Sequence, residues 1–157
     1  MSMEKTLILI KPDGMQRKLA GLSIDRLDST GLEMVGAKMV SVTDKLARTH
    51  YALLEGKGFF ADKAKFDHLI AYLKGDFHGV SRSRVLALVY QGENAVKAVR
   101  DIVGATHPEA AAPGTIRGSF GRINSKTGIF ENVIHASGNV EEAEREVGIW
   151  FKPEELV

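Results

Sequence analysis

Apolar residues run unbroken over positions 7–10 and again over 85–90, and such short runs predict strands buried on both faces. The first strand is read over 6–10, stopped by Pro12 and Gly14. A helix follows over 22–27, with Gly31 just past its end. Residues 32–42 read as a long strand through Met34, Val35, Met39, Val40 and Val42. Asp44 is the expected N-cap of a helix reaching 53. Phe66, Leu69, Ile70 and Leu73 recur at helical spacing within 62–74. After the strand over 85–90, Val96, Val99 and Val103 form the apolar stripe of a helix over 93–103. Residues 104–121 are turn-rich, show no period and read as a loop. A fourth strand is expected over 129–134. The last helix covers 140–150, with Val140, Ala143 and Val147 on one stripe. This order predicts an α+β fold: a ferredoxin-like four-stranded antiparallel sheet with helices packed on it. The same architecture serves enzymes, RNA binders and regulators, so it does not decide function.

Composition narrows the field. The 157 residues suit one domain over 1–157, long enough to bury a sizeable core. A net charge of +1 gives no global attraction to nucleic acid or an acidic membrane, so any positive field is local. Without cysteine there is no disulfide, thiolate nucleophile or cysteine metal site. The apolar run at 7–10 is too short for a signal peptide or a membrane span, and a cytoplasmic location is expected. The five histidines show no metal-ligand spacing, and no protein-held metal is expected. Residues 31–38 have a glycine spacing loosely like a P-loop. They lack the Gly-Lys-Ser/Thr end and read as strand, which rejects that motif.

His135 is read at the end of the last strand, before the small residues Ala136, Ser137 and Gly138. They leave an imidazole room to meet a bulky substrate. About three-quarters of an ordinary histidine is neutral at pH 7, with a ring nitrogen available as a nucleophile. On spacing alone, an incidental strand-end histidine is the commoner explanation. Glu146 and Glu144 flank the apolar stripe of the last helix on opposite sides. Either could return to orient His135, or simply face solvent. Lys11 at a strand end suits phosphate contact, as does Arg117 between the glycines of Pro113-Gly114-Thr115-Ile116-Arg117-Gly118. Arg100 adds a charge and Thr106 a hydroxyl. Taken together, three cations face the roughly −4 charge of a nucleoside triphosphate, with Mg²⁺ neutralising part of the rest.

Along nearly its whole length the chain resembles the nucleoside diphosphate kinase family. The resemblance is carried by Ile10-Lys11-Pro12-Asp13-Gly14, His50-Tyr51, Gly58-Phe59-Phe60, Gly104-Ala105-Thr106-His107-Pro108, residues 113–118, Asn132-Val133-Ile134-His135-Ala136-Ser137 and Trp150-Phe151-Lys152-Pro153. It implies ping-pong transfer of a terminal phosphate from a nucleoside triphosphate to a diphosphate, through a phosphohistidine and with broad base specificity. By motif position, His135 is similar to the nucleophile, and Glu146 with Ser137 to the pair orienting it. Lys11 and Tyr51 resemble the residues around the transferred phosphate. Arg100, Thr106 and Arg117 resemble the phosphate clamp. Asn132, with Lys11, resembles the ribose-hydroxyl contacts, and Phe59 the aromatic on which the base stacks. The family also implies Mg²⁺ carried on the nucleotide phosphates. It further implies a homo-oligomer, a hexamer rather than a tetramer, with no need of membrane or nucleic acid.

The chain departs from the family pattern at Gly138 and Ser119, where aspartate is usual. Extra residues flank 69–73 and lie between Ser119 and Phe130. In a regular strand Asn132 and His135 would face opposite sides, so a shared site requires a bend between them. The rival reading is a non-enzymatic ferredoxin-like module, such as an RNA binder. It would want exposed aromatics on a basic sheet face, and aromatic content here is only 7%.

Overall fold

The computed structural model describes residues 3–78, 84–126 and 130–157. Strand β1 (Met3–Ile10) leads into two short helices, α1 (Pro12–Gln16) and α2 (Ala20–Asp28). Then come β2 (Glu33–Val40), α3 (Asp44–His50), α4 (Lys63–Leu73), β3 (Val85–Glu93) and α5 (Ala95–Val103). The chain closes with α6 (Ile116–Phe120), β4 (Arg122–Ile123), β5 (Phe130–Glu131), β6 (Ile134–Ala136) and α7 (Val140–Trp150). The main sheet has the order β2-β3-β1-β6, and each neighbouring pair is antiparallel. This is the ferredoxin-like arrangement the element order predicts.

The buried runs are apolar at every position because both sheet faces are covered. Leu7 and Leu9 of β1 join Ala87 and Val89 of β3 under α3, α4 and α7. Ile8 and Ile10 face the other way, with Leu88, Tyr90 and residues of α2, α5 and α6. Strand pleating alone produces this division.

Several elements differ from the sequence expectation. Thr43, not Asp44, caps α3, its hydroxyl accepting from Leu46 N–H at 3.1 Å. Asp44 instead occupies the first turn, where its charge suits the helix dipole. The helix stops at His50, and residues 52–54 turn as a 3₁₀ segment. The supposed loop over 104–121 contains α6, so Arg117 is a helical residue. Five residues are too few to show a period, although Thr115 caps them by accepting from Gly118 N–H at 3.0 Å. The expected strand over 129–134 divides in two. Phe130 and Glu131 pair with β4 in a separate two-stranded sheet, while β6 joins β1, and position 129 lies outside the described residues.

Candidate functional site

His135 lies in the middle of β6 rather than at a strand end, opposite Leu9 of β1. Opposed residues of an antiparallel ladder share a face, so His135 projects toward α3 and α7. There its Nε2 meets Glu146 Oε1 at 2.7 Å, and Ser137 Oγ donates to the same oxygen at 2.9 Å. Glu146 is buried in α7, whereas Glu144 is exposed. The geometry thus separates two carboxylates that periodicity left equal.

The carboxylate holds the proton on Nε2 and leaves the lone pair on Nδ1. Burial, then Lys11, Arg117 and Arg100, push the imidazole well below its usual pKa, which keeps it neutral. Burial raises that of Glu146, with His50 and Ser137 opposing the rise.

The cations come from three elements. Lys11 is buried at the end of β1, its Nζ 5.0 Å from the centre of the Tyr72 ring. Arg117 is anchored by donating to Ile134 C=O at 2.8 Å and Gly104 C=O at 3.0 Å. Burial lowers its pKa to about 10, with Arg100 adding to the effect, so it remains charged at neutral pH. Arg100 lies exposed on α5, close enough to act on both His135 and Arg117. Burial and the neighbouring Arg117 bring Lys11 down to about 8. Its charge, and with it the attraction for polyphosphate, is complete below that pH and is lost above it. His135 stays neutral on the acid side. We therefore expect kcat/KM for a nucleoside triphosphate to be level near pH 7 and to fall as pH rises through about 8. An initial-rate pH profile measures this, and a level profile to pH 10 would contradict it.

Asn132 is buried, and between it and His135 the chain turns sharply at Val133. That residue has φ +72°, and Ile134 N–H donates across it to Asn132 C=O at 2.8 Å. For a β-branched residue such a turn costs on the order of 1–3 kcal/mol. It supplies the bend that a shared Asn132–His135 site requires. The Asn132 Nδ2 donates to the carbonyl of Thr106 at 3.1 Å, which brings the exposed Thr106 alongside. The Asn132 Oδ1 is buried without a partner among the described residues.

Tyr51 is buried with its ring 6.5 Å from that of His135, and burial raises its hydroxyl pKa. Phe59 stands apart from the phosphate-facing groups. It is 67% exposed, capped by the Lys65 ammonium at 4.4 Å from its ring, and with Phe130 it lines a groove of about 400 Å³.

His50, to which no sequence pattern assigns a role, meets the ring of His135 edge-on at 4.6 Å. Its Nδ1 accepts from Trp150 Nε1–H at 3.0 Å, and burial, with the neighbouring His135, drives its pKa to about 3. Histidine spacing could not reveal this because the two come from different elements. The only cue was His50 standing beside Tyr51 in a matching stretch.

A neutral, carboxylate-backed histidine within reach of three cations is equipped for nucleophilic attack on a phosphate. Comparison with known proteins agrees with that class. The profile of the nucleoside diphosphate kinase family matches residues 4–156. The nucleoside diphosphate kinase of Staphylococcus carnosus is 43% identical over 154 residues, covering 98% of this chain and 91% of its own. That of Roseiflexus sp. is 44% identical over 155 residues, covering 99% and 92%. Among solved structures, a transition-state mimic of the Borrelia burgdorferi enzyme with bound vanadate and ADP superposes with a TM-score of 0.85. It is 40% identical and covers 99% of this chain and 90% of that one. The halophilic enzyme of Halobacterium salinarum in complex with CDP gives 0.83 at 38% identity, covering 99% and 92%. The chain belongs to the nucleoside diphosphate kinase family. It is accordingly a phosphotransferase acting between nucleoside triphosphates and diphosphates, and the RNA-binder reading is not favoured.

Proposed function

We propose that His135 carries the phosphoryl group, in a ping-pong exchange of broad base specificity. The bond from Nε2 to Glu146 is the observation that supports this most, because it leaves Nδ1 as the attacking nitrogen. The Nδ1 lone pair attacks the terminal phosphorus while the bond to the bridging oxygen breaks, and that oxygen leaves with the diphosphate. The ring gains positive charge as it is phosphorylated, and the Glu146 carboxylate offsets it. A terminal oxygen of the acceptor diphosphate then attacks phosphorus, and the N–P electron pair returns to Nδ1. No net proton moves.

In this reading Lys11, Tyr51, Arg100, Thr106 and Arg117 hold the phosphates, and Ser137 steadies Glu146. Asn132 and Lys11 meet the ribose hydroxyls. Phe59 stacks on the base without reading its hydrogen-bonding edge, so purines and pyrimidines are both accepted. Charge that spreads over the transferring group meets Lys11 and Arg117 already fixed by burial, with Arg100 beside them, which is where most of the barrier reduction arises.

Mg²⁺ would arrive on the nucleotide phosphates and neutralise part of their charge. The described residues do not fit a resident Mg²⁺. Among those described, the group of histidine and carboxylate side chains close enough to share an ion is His50, His135 and Glu146. Two imidazoles suit an oxygen-seeking ion poorly, and Gly138 offers no carboxylate. No step above passes through the metal.

One domain over 1–157, a cytoplasmic location and a homo-oligomer, hexamer before tetramer, complete the proposal. No helix among the described residues is long and apolar enough to cross a membrane. An assembly is favoured by the edge strand β2 and the exposed Met39 on it, with Leu22 on α2. Initial rates at several fixed donor concentrations should give parallel double-reciprocal lines. Intersecting lines would mean direct transfer between two bound nucleotides.

A further inference from the structure

The stretch Lys11-Pro12-Asp13-Gly14 gives Lys11 to the site, which leaves its last two residues without a role. Asp13 has no exposed surface. One carboxylate oxygen accepts from the Tyr72 hydroxyl, and the other accepts from Val133 N–H at 2.9 Å. Val133 is the residue with φ +72°, at the centre of the turn between Asn132 and Ile134. Its carbonyl accepts from Lys11 N–H at 2.9 Å. A Cβ on Gly14 would stand 2.9 Å from both Val133 Cγ1 and Val133 O, so the glycine is what allows this approach. Both backbone polar groups of Val133 are therefore tied to one short stretch. Tyr72 links it to the phosphate side, since the same ring lies beneath Lys11 Nζ.

We propose that Asp13 is a positioning residue for phosphoryl transfer. Acting through Val133, it holds the turn that lets Asn132 and His135 address one nucleotide. This rests on the reaction proposed above and adds a residue to it. A carboxylate suits the task because it accepts from two donors and offers no competing proton. The cost of a β-branched residue at positive φ is sustained only where the surroundings over-determine it. Here they do so from Asp13 and Lys11 together. If the Asp13 bond is lost, Asn132 and His135 need not move far to fall out of register, and small misplacements of reacting groups have large kinetic effects.

The test compares kcat/KM for a nucleoside diphosphate with that for its 2′,3′-dideoxy counterpart in wild type, Asp13→Ala, Asp13→Asn and Tyr72→Phe. Wild type should prefer the hydroxyl-bearing substrate. Asp13→Ala should lose about tenfold or more of that preference. Asp13→Asn keeps an acceptor for Val133 N–H and should retain most of it. A purely structural loss would lower both substrates' rates together and leave the ratio alone. Should Asp13→Ala fail to fold, Tyr72→Phe removes one of the two donors and should show a smaller loss in the same direction. An unchanged preference in a folded Asp13→Ala or in Tyr72→Phe would overturn the proposal. A wild-type preference near one would overturn it as well. Phosphate label on His135 in that same protein would show that the reaction itself still stands.

Discussion

Replacing His135 by glutamine should remove turnover, with kcat falling by at least about 10⁵-fold, as expected when the sole nucleophile of a covalent mechanism is lost. Glutamine approaches histidine in size and can still reach a carboxylate, so Glu146 need not be left as a lone buried charge. The fold should therefore persist, because His135 lies at the edge of the core while Ile134 and Ala136 on either side fill it. A coupled assay of ATP formation from GTP and ADP measures the rate, and thermal unfolding checks the fold. A folded variant within about tenfold of wild type would move the chemistry away from this imidazole, since losing a nucleophile costs far more.

Glu146→Ala should slow phosphorylation of the enzyme by about a hundredfold, while Glu144→Ala should leave it near the wild-type rate. The carboxylate fixes which ring nitrogen carries the proton, and losing such an orienting group costs up to about 10⁴-fold in related nucleophile–base pairs. The expected loss is smaller in this site because Ser137 and the His50 ring remain beside His135. Glu144 points to solvent from the other flank of α7. Rapid-quench measurement of the first phosphoryl transfer distinguishes the two, and equal effects would mean that the bond to Nε2 does not orient the nucleophile.

The sheet was legible in the sequence because its central strands announce themselves. Residues 7–10 and 85–90 are apolar without alternation, the mark of strands covered on both faces, and α7 buries Ala143 and Val147 of its expected stripe, although Val140 at its start is exposed. What escaped were features too short to carry a period. Helix α6 has five residues, and β4 and β5 have two each. The turn at Val133 left no trace, since valine is among the residues least expected at positive φ. Only the geometric conflict between Asn132 and His135 hinted that something had to bend there.

The site was legible as a list of residues but not as an assembly. Motif resemblance pointed to Lys11, Arg117 and His135, and the fold brings them to one end of the sheet from separate elements. The resemblance singled out Glu146, but periodicity could not choose between Glu144 and Glu146, because both flank the same stripe and only the helix's rotation against β6 decides. Nor could it find the partners of Asp13. Tyr72 and Val133 reach it through contacts far apart in the chain, which leave no spacing to read. The loop reading of 104–121 placed Arg117 between flexible glycines, whereas its guanidinium is held by two carbonyls from opposite sides. That rigidity is part of what makes it useful to a phosphate.

The central claim is that a phosphoryl group rests on His135 between the two nucleotides. Incubation with γ-labelled GTP, removal of nucleotide and addition of ADP tests it most directly. An acid-labile, base-stable label should appear on His135, and ADP should then collect it as ATP. A protein that turns over but never carries label, or whose label ADP cannot remove, would contradict it.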